Sequence, residues 1–514
     1  DPEKFDLDRQ LGEAERSRSE KSSAVRIANY LLQAPQLIEN TEYDAYSRRH
    51  KAPSFSFPGK RKELTWALDA IINSKPTHVQ IQKRQELCAF LAQHARNPKS
   101  PVIEHIEQVL VTYKETDDSF EHSSPLRCPT QEFSVLVSSL EALASTLTNT
   151  LAQPFSEDIT QLLGKHKIAK SARFFSKEKG RVLLSPKYAV ENDSWSGSGS
   201  VFKGWETKLI RLDDDTSLVD LGLWKWEQYP YPLFPQHKKE MFSLFKAIAG
   251  PLYLLGLLYW HAVVDREREK HNLPSCMPTI TEKQEFMIQN AHPLGVDHSQ
   301  YAGAPIGAVA VDFQYTPKQN KVVIGGAHSG GKTILLETID LYHEYGRTGL
   351  PLPCTKAVIP LNAVLKRSYT KPKHDGRGSL ESELVDIMTT ANTLGANDVY
   401  LCDELLDTTR PEIGNSLQIP VLAKLGERPG VVIVVCHRIK DVPDSLNYRF
   451  IHPELVEREI DELVLEREVG RHCYWRGTGK RVMKLFPTHK FVEGKPDPAL
   501  TALHAKQMWA WEKE

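Results

Sequence analysis

The chain has 514 residues, 40 % hydrophobic and 25 % charged, with 65 Lys and Arg against 66 Asp and Glu for a net charge of -1. This length allows about three domains, and the composition excludes whole-chain disorder, collagen-like repeats and disulfide scaffolds. The charge balance excludes a globally basic nucleic-acid binder, so any polyanion has to be met by a local patch. Seven cysteines, odd in number and without a C-x-x-C pair, argue against a disulfide framework or a zinc knuckle. They point instead to a reducing, cytoplasmic compartment. The polar start, Asp1-Pro2-Glu3-Lys4, does not read as a signal peptide.

Residues 1–165 read as a helical domain. Glu63–Asn73, Thr77–His94 and Glu132–Ala152 carry apolar residues at helical spacing, separated by Pro/Gly/Ser punctuation. Residues 166–225 change to short β-forming runs, VLLSPKYAV, SVFKGW, TKLIRL and TSLVDLGLW, with Ser/Gly/Asp turns between them, and read as a small β-rich insertion. Asp213–Asp215 reads as a turn, and Trp224 and Trp226 as packing residues. At the entry to this insertion, Gly164–Arg181 carries seven basic residues: Lys165, Lys167, Lys170, Arg173, Lys177, Lys179 and Arg181. Such a cluster can neutralise phosphates, and Phe174-Phe175 within it can stack on unpaired bases. A solvated basic linker with core-facing phenylalanines has the same composition.

Residues 226–275 return to helix. Ala247–Val264 holds 18 residues without a formal charge, but Pro251, two glycines and His261 interrupt it. It reads as a buried core helix, with no membrane partner implied.

Residues 276–514 read as one domain in which strand and helix alternate and which closes in a C-terminal helical tail, with Met508–Glu514 as a helix end. EFMIQN, AVAVDF, KVVI, VYLCDE and VVIVVC are short apolar strands between helical runs, the pattern of a buried parallel sheet. After KVVI comes Gly326-Ala327-His328-Ser329-Gly330-Gly331-Lys332-Thr333, which fits G-x-x-x-x-G-K-[ST] and precedes the helical run ILLETIDLYHEY. In that strand–loop–helix setting, glycines turn backbone N–H groups toward phosphate oxygens, and the helix N-terminus adds partial positive charge. Lys332 would reach the β/γ-phosphates of ATP and Thr333 would hold Mg²⁺. About 70 residues on, the apolar strand VYLC ends in Asp403-Glu404. Asp403 is a second Mg²⁺ candidate, and Glu404 is placed to polarise an attacking water. A further strand, Val431–Cys436, ends at His437, a candidate contact for the γ-phosphate.

Six segments of 277–440 together resemble the ATPase domain of the MutS family of DNA mismatch-repair and recombination proteins. MPTITEKQEFMIQNAHPLG resembles its strand leading to a His-Pro pair, here His292-Pro293. GAHSGGKT resembles its phosphate loop, and Gly349–Cys354 its G-L-x-[VI]-P-A segment. GRGSLESELVDI resembles its signature loop, YLCDEL its D-E-[LI]-G strand end, and VVCHRIKDV its A-T-H segment. More weakly, GKRKELTWAL and Pro76–Gln85 resemble motifs of the family's helical core, or lever, domain.

The resemblance implies an α+β multidomain fold: a helical core/lever domain with a small β insertion, then a P-loop (ABC-type) α/β ATPase domain. It also implies a homodimer through the ATPase domain, in which Ser379 acts in trans on the partner's nucleotide, and coupling of ATP binding and hydrolysis to a clamp on duplex or branched DNA. Two departures stand out. His328 replaces the loop Asn, and Leu405-Leu406-Asp407-Thr408-Thr409 after Glu404 lacks the family's two glycines and Arg. Only about 325 residues precede the phosphate loop, so direct mismatch reading is not expected. A ribosome- or RNA-acting ATPase and a nucleotide-gated, non-hydrolysing scaffold remain as alternatives.

Overall fold

The computed structural model describes residues 23–39, 57–59, 61–74, 76–97, 99–122, 130–165, 181–184, 208–213, 216–220, 235–294, 309–326, 330–369, 379–406, 411–436, 442–467 and 473–504. Helix α1 (Ser23–Glu39) is followed by α2 (Arg61–Asn73), α3 (His78–Ala95), α4 (Pro101–His122), α5 (Thr130–Leu147) and α6 (Gln153–Lys165). Strands β1 (Arg181–Leu184), β2 (Lys208–Asp213) and β3 (Thr216–Asp220) then precede the long helix α7 (Pro235–Lys270). The chain divides into two compact units. One comprises Pro53–Asn73 and Lys83–Glu267, and the other Asp1–Ala52, Ser74–Gln82 and Arg268–Glu514.

The first unit is mainly helical. Local chemistry sets its helix starts. Thr77 and Gln80, in the Ser74–Gln82 segment assigned to the other unit, form a reciprocal capping box at the start of α3, each side chain bonding the other's backbone N–H, and α3 continues into this unit. Pro101 opens α4, where its missing N–H costs nothing. The core of this unit is largely aliphatic, with an aromatic cluster within it. Tyr113 stacks on Phe245 at 4.2 Å, and Tyr253 meets Tyr113 edge-on at 5.7 Å and Trp66 at 5.4 Å. Among the described residues one stretch, Phe242–Lys270 in α7, is long and apolar enough to cross a membrane, and 72 % of its apolar window is buried inside the protein. Leu252, Leu255, Leu258 and Trp260 are all buried, so Ala247–Val264 is a core helix here. Strands β1–β3 form an antiparallel sheet in the order β1-β3-β2. The run SVFKGW lies outside the described residues.

The second unit contains two sheets. Its strands are β4 (Thr279–Thr281), β5 (Phe286–Ala291), β6 (Val311–Tyr315), β7 (Lys321–Ile324), β8 (Lys356–Pro360), β9 (Val364–Tyr369), β10 (Asp398–Asp403), β11 (Val431–Val435), β12 (Arg449–Arg467) and β13 (Cys473–Glu493). Its further helices are α8 (Lys332–Gly346), α9 (Ser379–Asn392) and α10 (Pro411–Gly426). The larger sheet runs β13-β12-β7-β11-β10-β9 and is parallel from β12 to β9. All four residues of β7 and all five of β11 are buried, as expected of strands covered on both faces. Helices α9 and α10 bury Ile387, Ala391, Leu422 and Leu425 against Tyr400, Val432 and Val434 of this sheet.

EFMIQN and AVAVDF do not join that parallel sheet. As β5 and β6 they pair antiparallel in a separate sheet of order β4-β8-β5-β6. Strand β6 alternates buried and exposed residues, the mark of a sheet with one wet face, and that alternation separates it from β7. Met508–Glu514 lies outside the described residues. Between β11 and the helical turn at 498–504 lies the β12–β13 ribbon, whose strands run 19 and 21 residues and which no sequence pattern announces. Only Arg449–Ile451 at its root pair with β7.

Helix α8 joins the layers of this unit. Arg26 of α1 pairs with Glu337 at 2.8 Å, and Tyr342 donates to the carbonyls of His292 and Pro353. His343 stacks on Phe286 at 4.1 Å and bonds Tyr315 Oη at 3.1 Å. Burial, reinforced by Arg347 and Arg367, pushes the His343 pKa down to about 3. The unfolded imidazole titrates near 6.5, so the folded state keeps its full advantage above that pH. The advantage is lost as pH falls from 6.5 toward 3, because only the unfolded chain then gains the proton. At about 1.4 kcal/mol per pH unit, this histidine removes about 2 kcal/mol between pH 7 and 5. A His343→Gln variant, which cannot titrate, is expected to lose correspondingly less stability over that interval in paired denaturant unfolding curves at the two pH values.

Candidate active site

Because β7, β11 and β10 are parallel neighbours, their carboxyl ends open on one edge of the sheet, the usual ligand crevice of such sheets. The register is specific. Ile324 lies opposite Val435, Val434 opposite both Val323 and Cys402, and Asp403 closes β10 opposite Tyr369 of β9. The ladder continues past the strand ends through Gly325 N–H to Ile451 O at 2.9 Å, Cys436 N–H to Ile324 O at 2.9 Å, and Leu405 N–H to Val435 O at 2.9 Å. The chain segments leaving β7 and β10 are thereby fixed at both ends of the crevice.

The predicted phosphate loop leaves β7 here. Gly326 has φ +102°, and a Cβ on it would lie 2.9 Å from Pro453 Cδ in β12, so both its conformation and its surroundings require glycine. Gly331 caps α8 with φ 83°. Lys332 is the first residue of α8 and is buried, and its Nζ donates to Gly326 O at 3.0 Å. Thr333 follows, exposed, with its hydroxyl 3.4 Å from Asp403 Oδ1. The structure thus brings together Gly326 with Lys332, and Thr333 with Asp403. Ala327, His328, Ser329 and His437 lie outside the described residues. Ser379 begins α9. Of the basic run, Lys165 ends α6 and Arg181 begins β1, whereas Lys167, Lys170, Arg173, Lys177 and Lys179 lie outside the described residues.

Asp403 is half-buried and Glu404 exposed at the strand end. The residue before them, Cys402, is buried, and burial pushes its thiol pKa up, so it stays a neutral thiol at neutral pH. A hydroxyl beside a single carboxylate is a hard-oxygen donor pair suited to Mg²⁺, which is commonly held by one or two carboxylates plus substrate phosphates. Among the described residues no cluster of three His, Cys, Asp or Glu offers an all-protein metal cage.

After Asp403 the backbone departs from a strand. Glu404 has φ 56° and Leu406 φ 61°, both left-handed. For a residue with a Cβ this costs about 1–2 kcal/mol each. Leu405 and Leu406 are both buried, in the core formed with α9 and α10. Burying a leucine contributes about 1.5–3 kcal/mol, enough to offset the strain at Leu406. In sequence Leu406 appears only as a missing glycine. Two further residues carry no sequence signal: Glu383, whose Oε1 accepts the Leu406 N–H at 2.7 Å, and Pro453, which closes over Gly326.

No family model matches the chain. It is 26 % identical over 202 residues to the Endonuclease MutS2 of Enterococcus faecalis, covering 38 % of this chain and 24 % of that one. To the Endonuclease MutS2 of Clostridium novyi it is 28 % identical over 230 residues, covering 44 % and 27 %. To that of Lactiplantibacillus plantarum it is 26 % identical over 207 residues, covering 39 % and 25 %. The chain spans about a quarter of the length of these curated relatives. With a largely parallel α/β sheet in one unit and a mainly helical second unit, it is a mixed α/β multidomain protein. The similarities make it, more particularly, a MutS-like relative.

Gly326→Ala is expected to destabilise this unit by about 2–4 kcal/mol, combining a left-handed alanine with overlap onto Pro453. Chemical unfolding of the variant beside the unmodified chain measures it. A change below 0.5 kcal/mol, to order of magnitude, would contradict the tight Gly326–Pro453 packing.

Proposed function

We propose that this chain is a Mg²⁺-dependent ATPase of the MutS type that couples ATP turnover to holding DNA. The observation that carries the reading is the meeting of two motifs 70 residues apart: the Thr333 hydroxyl lies 3.4 Å from Asp403, on the same sheet edge as the Lys332–Gly326 contact. In this reading Gly326–Thr333 cradles the ATP phosphates with backbone N–H groups and the α8 N-terminus. Lys332, now on Gly326 O, exchanges that carbonyl for phosphate oxygens. Thr333 and Asp403 hold Mg²⁺, which supplies charge neutralisation to the phosphates when bound. Glu404 orients and deprotonates the attacking water, and His437 contacts the γ-phosphate.

Two such domains pair, with Ser379 of each completing the other's site, and the chain works in the cytoplasm. The relatives are named as endonucleases, enzymes that act on nucleic acid, and this supports nucleic acid as the partner polymer. Lys165, Arg181 and the basic residues between them are the candidate contacts. Coupling requires the ATP and ADP states to differ in affinity for the polymer.

The left-handed Leu406 bears on the rival scaffold reading. The turn adopts the conformation that a glycine would give it, so loss of that glycine alone does not argue for loss of hydrolysis. Steady-state ATP turnover with linear duplex, branched DNA or ribosomes tests the reading. Glu404→Gln is expected to lower kcat by about 10²-fold or more with ATP binding retained, as for loss of a general base. Lys332→Ala is expected to abolish binding of a fluorescent ATP analogue. Stimulation by DNA that fades with added salt supports DNA as the polymer. Stimulation by ribosomes alone moves the substrate to RNA. Tight ATP binding with wild-type turnover no faster than that of Glu404→Gln replaces the enzyme with a nucleotide-gated scaffold.

A further inference from the structure

Glu383 sits on α9, one turn beyond Ser379 and on the same side of the helix. It is half-buried, and its Oε1 accepts the backbone N–H of Leu406 at 2.7 Å. The opposite edge of the same short segment is held by β11, through Leu405 N–H to Val435 O at 2.9 Å. Glu404 therefore lies immediately before two consecutive amides, one fixed to the sheet and one to α9. Its own backbone and that of Leu406 are both left-handed. A non-glycine pair in that conformation persists only where its surroundings over-determine it. Here the surroundings are the buried Leu405 and Leu406 side chains, the β11 carbonyl and the Glu383 carboxylate.

We propose that Glu383 is a positioning residue for the reaction: it clamps the Glu404–Leu406 turn and ties the aim of the Glu404 carboxylate to the seating of helix α9. The inference rests on the hydrolytic reading of Glu404. A charged acceptor on an amide N–H makes a short, strong bond. Without it the Leu406 N–H is left half-buried with no acceptor, and the turn is free to relax toward an extended strand end. Glu404 would then still be present but misaimed, and small misplacements of a catalytic group are costly in rate. Any shift of α9 at its Ser379 end would be felt at Glu404 through this hydrogen bond, alongside the packing of Leu405 and Leu406 on the same helix. In that way the signature end of the helix and the water-activating acid would move as one piece.

The experiment uses the full chain with three substitutions: Glu383→Ala, Glu383→Met and Glu383→Gln. Met keeps the length and packing of the side chain without a competent acceptor, so a folding failure of Glu383→Ala does not silence the test. Gln keeps an acceptor oxygen without the charge. Two readouts are taken: hydrogen exchange of the Leu406 amide without nucleotide, and kcat and KM for ATP. In Glu383→Met the Leu406 amide is expected to exchange about tenfold faster or more. Its kcat is expected to fall about tenfold, with KM within about twofold of wild type, the split of a residue acting on the chemical step. Glu383→Gln is expected to restore most of both. Unchanged exchange at Leu406 in Glu383→Met overturns the clamp. Faster exchange with unchanged kcat overturns its role in aiming Glu404. A parallel rise in KM, with no rescue by Gln, assigns Glu383 to general stability and overturns the proposal as well. If the unmodified chain binds ATP without turning it over, the hydrolytic reading fails and the aiming role with it, while the exchange arm still separates that outcome from failure of the clamp.

Discussion

The parallel register of β7, β11 and β10 is the constraint on which the rest of the site depends. It sets the end of the glycine loop level with the end of the acidic strand, so that residues 70 positions apart approach within hydrogen-bonding range. Side chains alternate faces along a strand, so a slip of one residue in either pairing would turn Asp403 to the other face of the sheet. Burial on both faces does not by itself choose the register, since β11 is apolar at every position and Val322, Val323, Val432, Val434, Leu401 and Cys402 are all almost fully enclosed. The pairing is held by contacts at the strand ends, among them Cys436 N–H to Ile324 O and Leu405 N–H to Val435 O. A buried lysine adds to this. Lys321 donates its Nζ to the carbonyls of Arg428 and Gly430 and fixes the start of β7 to the turn entering β11. Burial pushes its pKa down to about 8, the expected response of an ammonium withdrawn from water.

Much of this second unit was legible in the sequence, because its strands are short, apolar and separated by helical runs. KVVI, VYLCD and VVIVV are β7, β10 and β11 with hardly a residue's difference. The glycine loop could be read because its spacing is set by the size of phosphate groups, and the acid pair because an apolar strand ending in two carboxylates is unusual. Partner choice was less legible. β5 and β6 looked like members of the same sheet, and only the alternation in β6 says otherwise. The β12–β13 ribbon was invisible for a related reason. Residues such as those of ELVEREIDELVLER carry dense charge that fits a solvated helix as well as a two-faced ribbon, and the cross-strand pairing that decides between them is non-local.

The features hardest to read were those that depend on φ. Leu406 looks in sequence like a lost glycine and therefore like a weakened site. In the structure its backbone is left-handed, a conformation open to glycine, and its side chain is buried. Gly326 is the converse: in sequence it reads as the phosphate-binding glycine of its motif, yet it is also confined by a proline 127 residues later. No local pattern carries either fact, since both arise where distant segments close on one another.

The hydrogen bond between Glu383 and Leu406 also has a meaning for how such a sequence can change over time. Restoring glycine at 406 alone would empty part of the α9–α10 core. Removing the carboxylate at 383 alone would strand an amide. The donor of that bond is a backbone N–H, which every residue except proline presents, so the carboxylate at 383 does not itself select leucine at 406. The leucine is held by its buried side chain instead. Hydrogen bonding therefore constrains position 383 and packing constrains position 406, and the two constraints are separable although they meet on one residue.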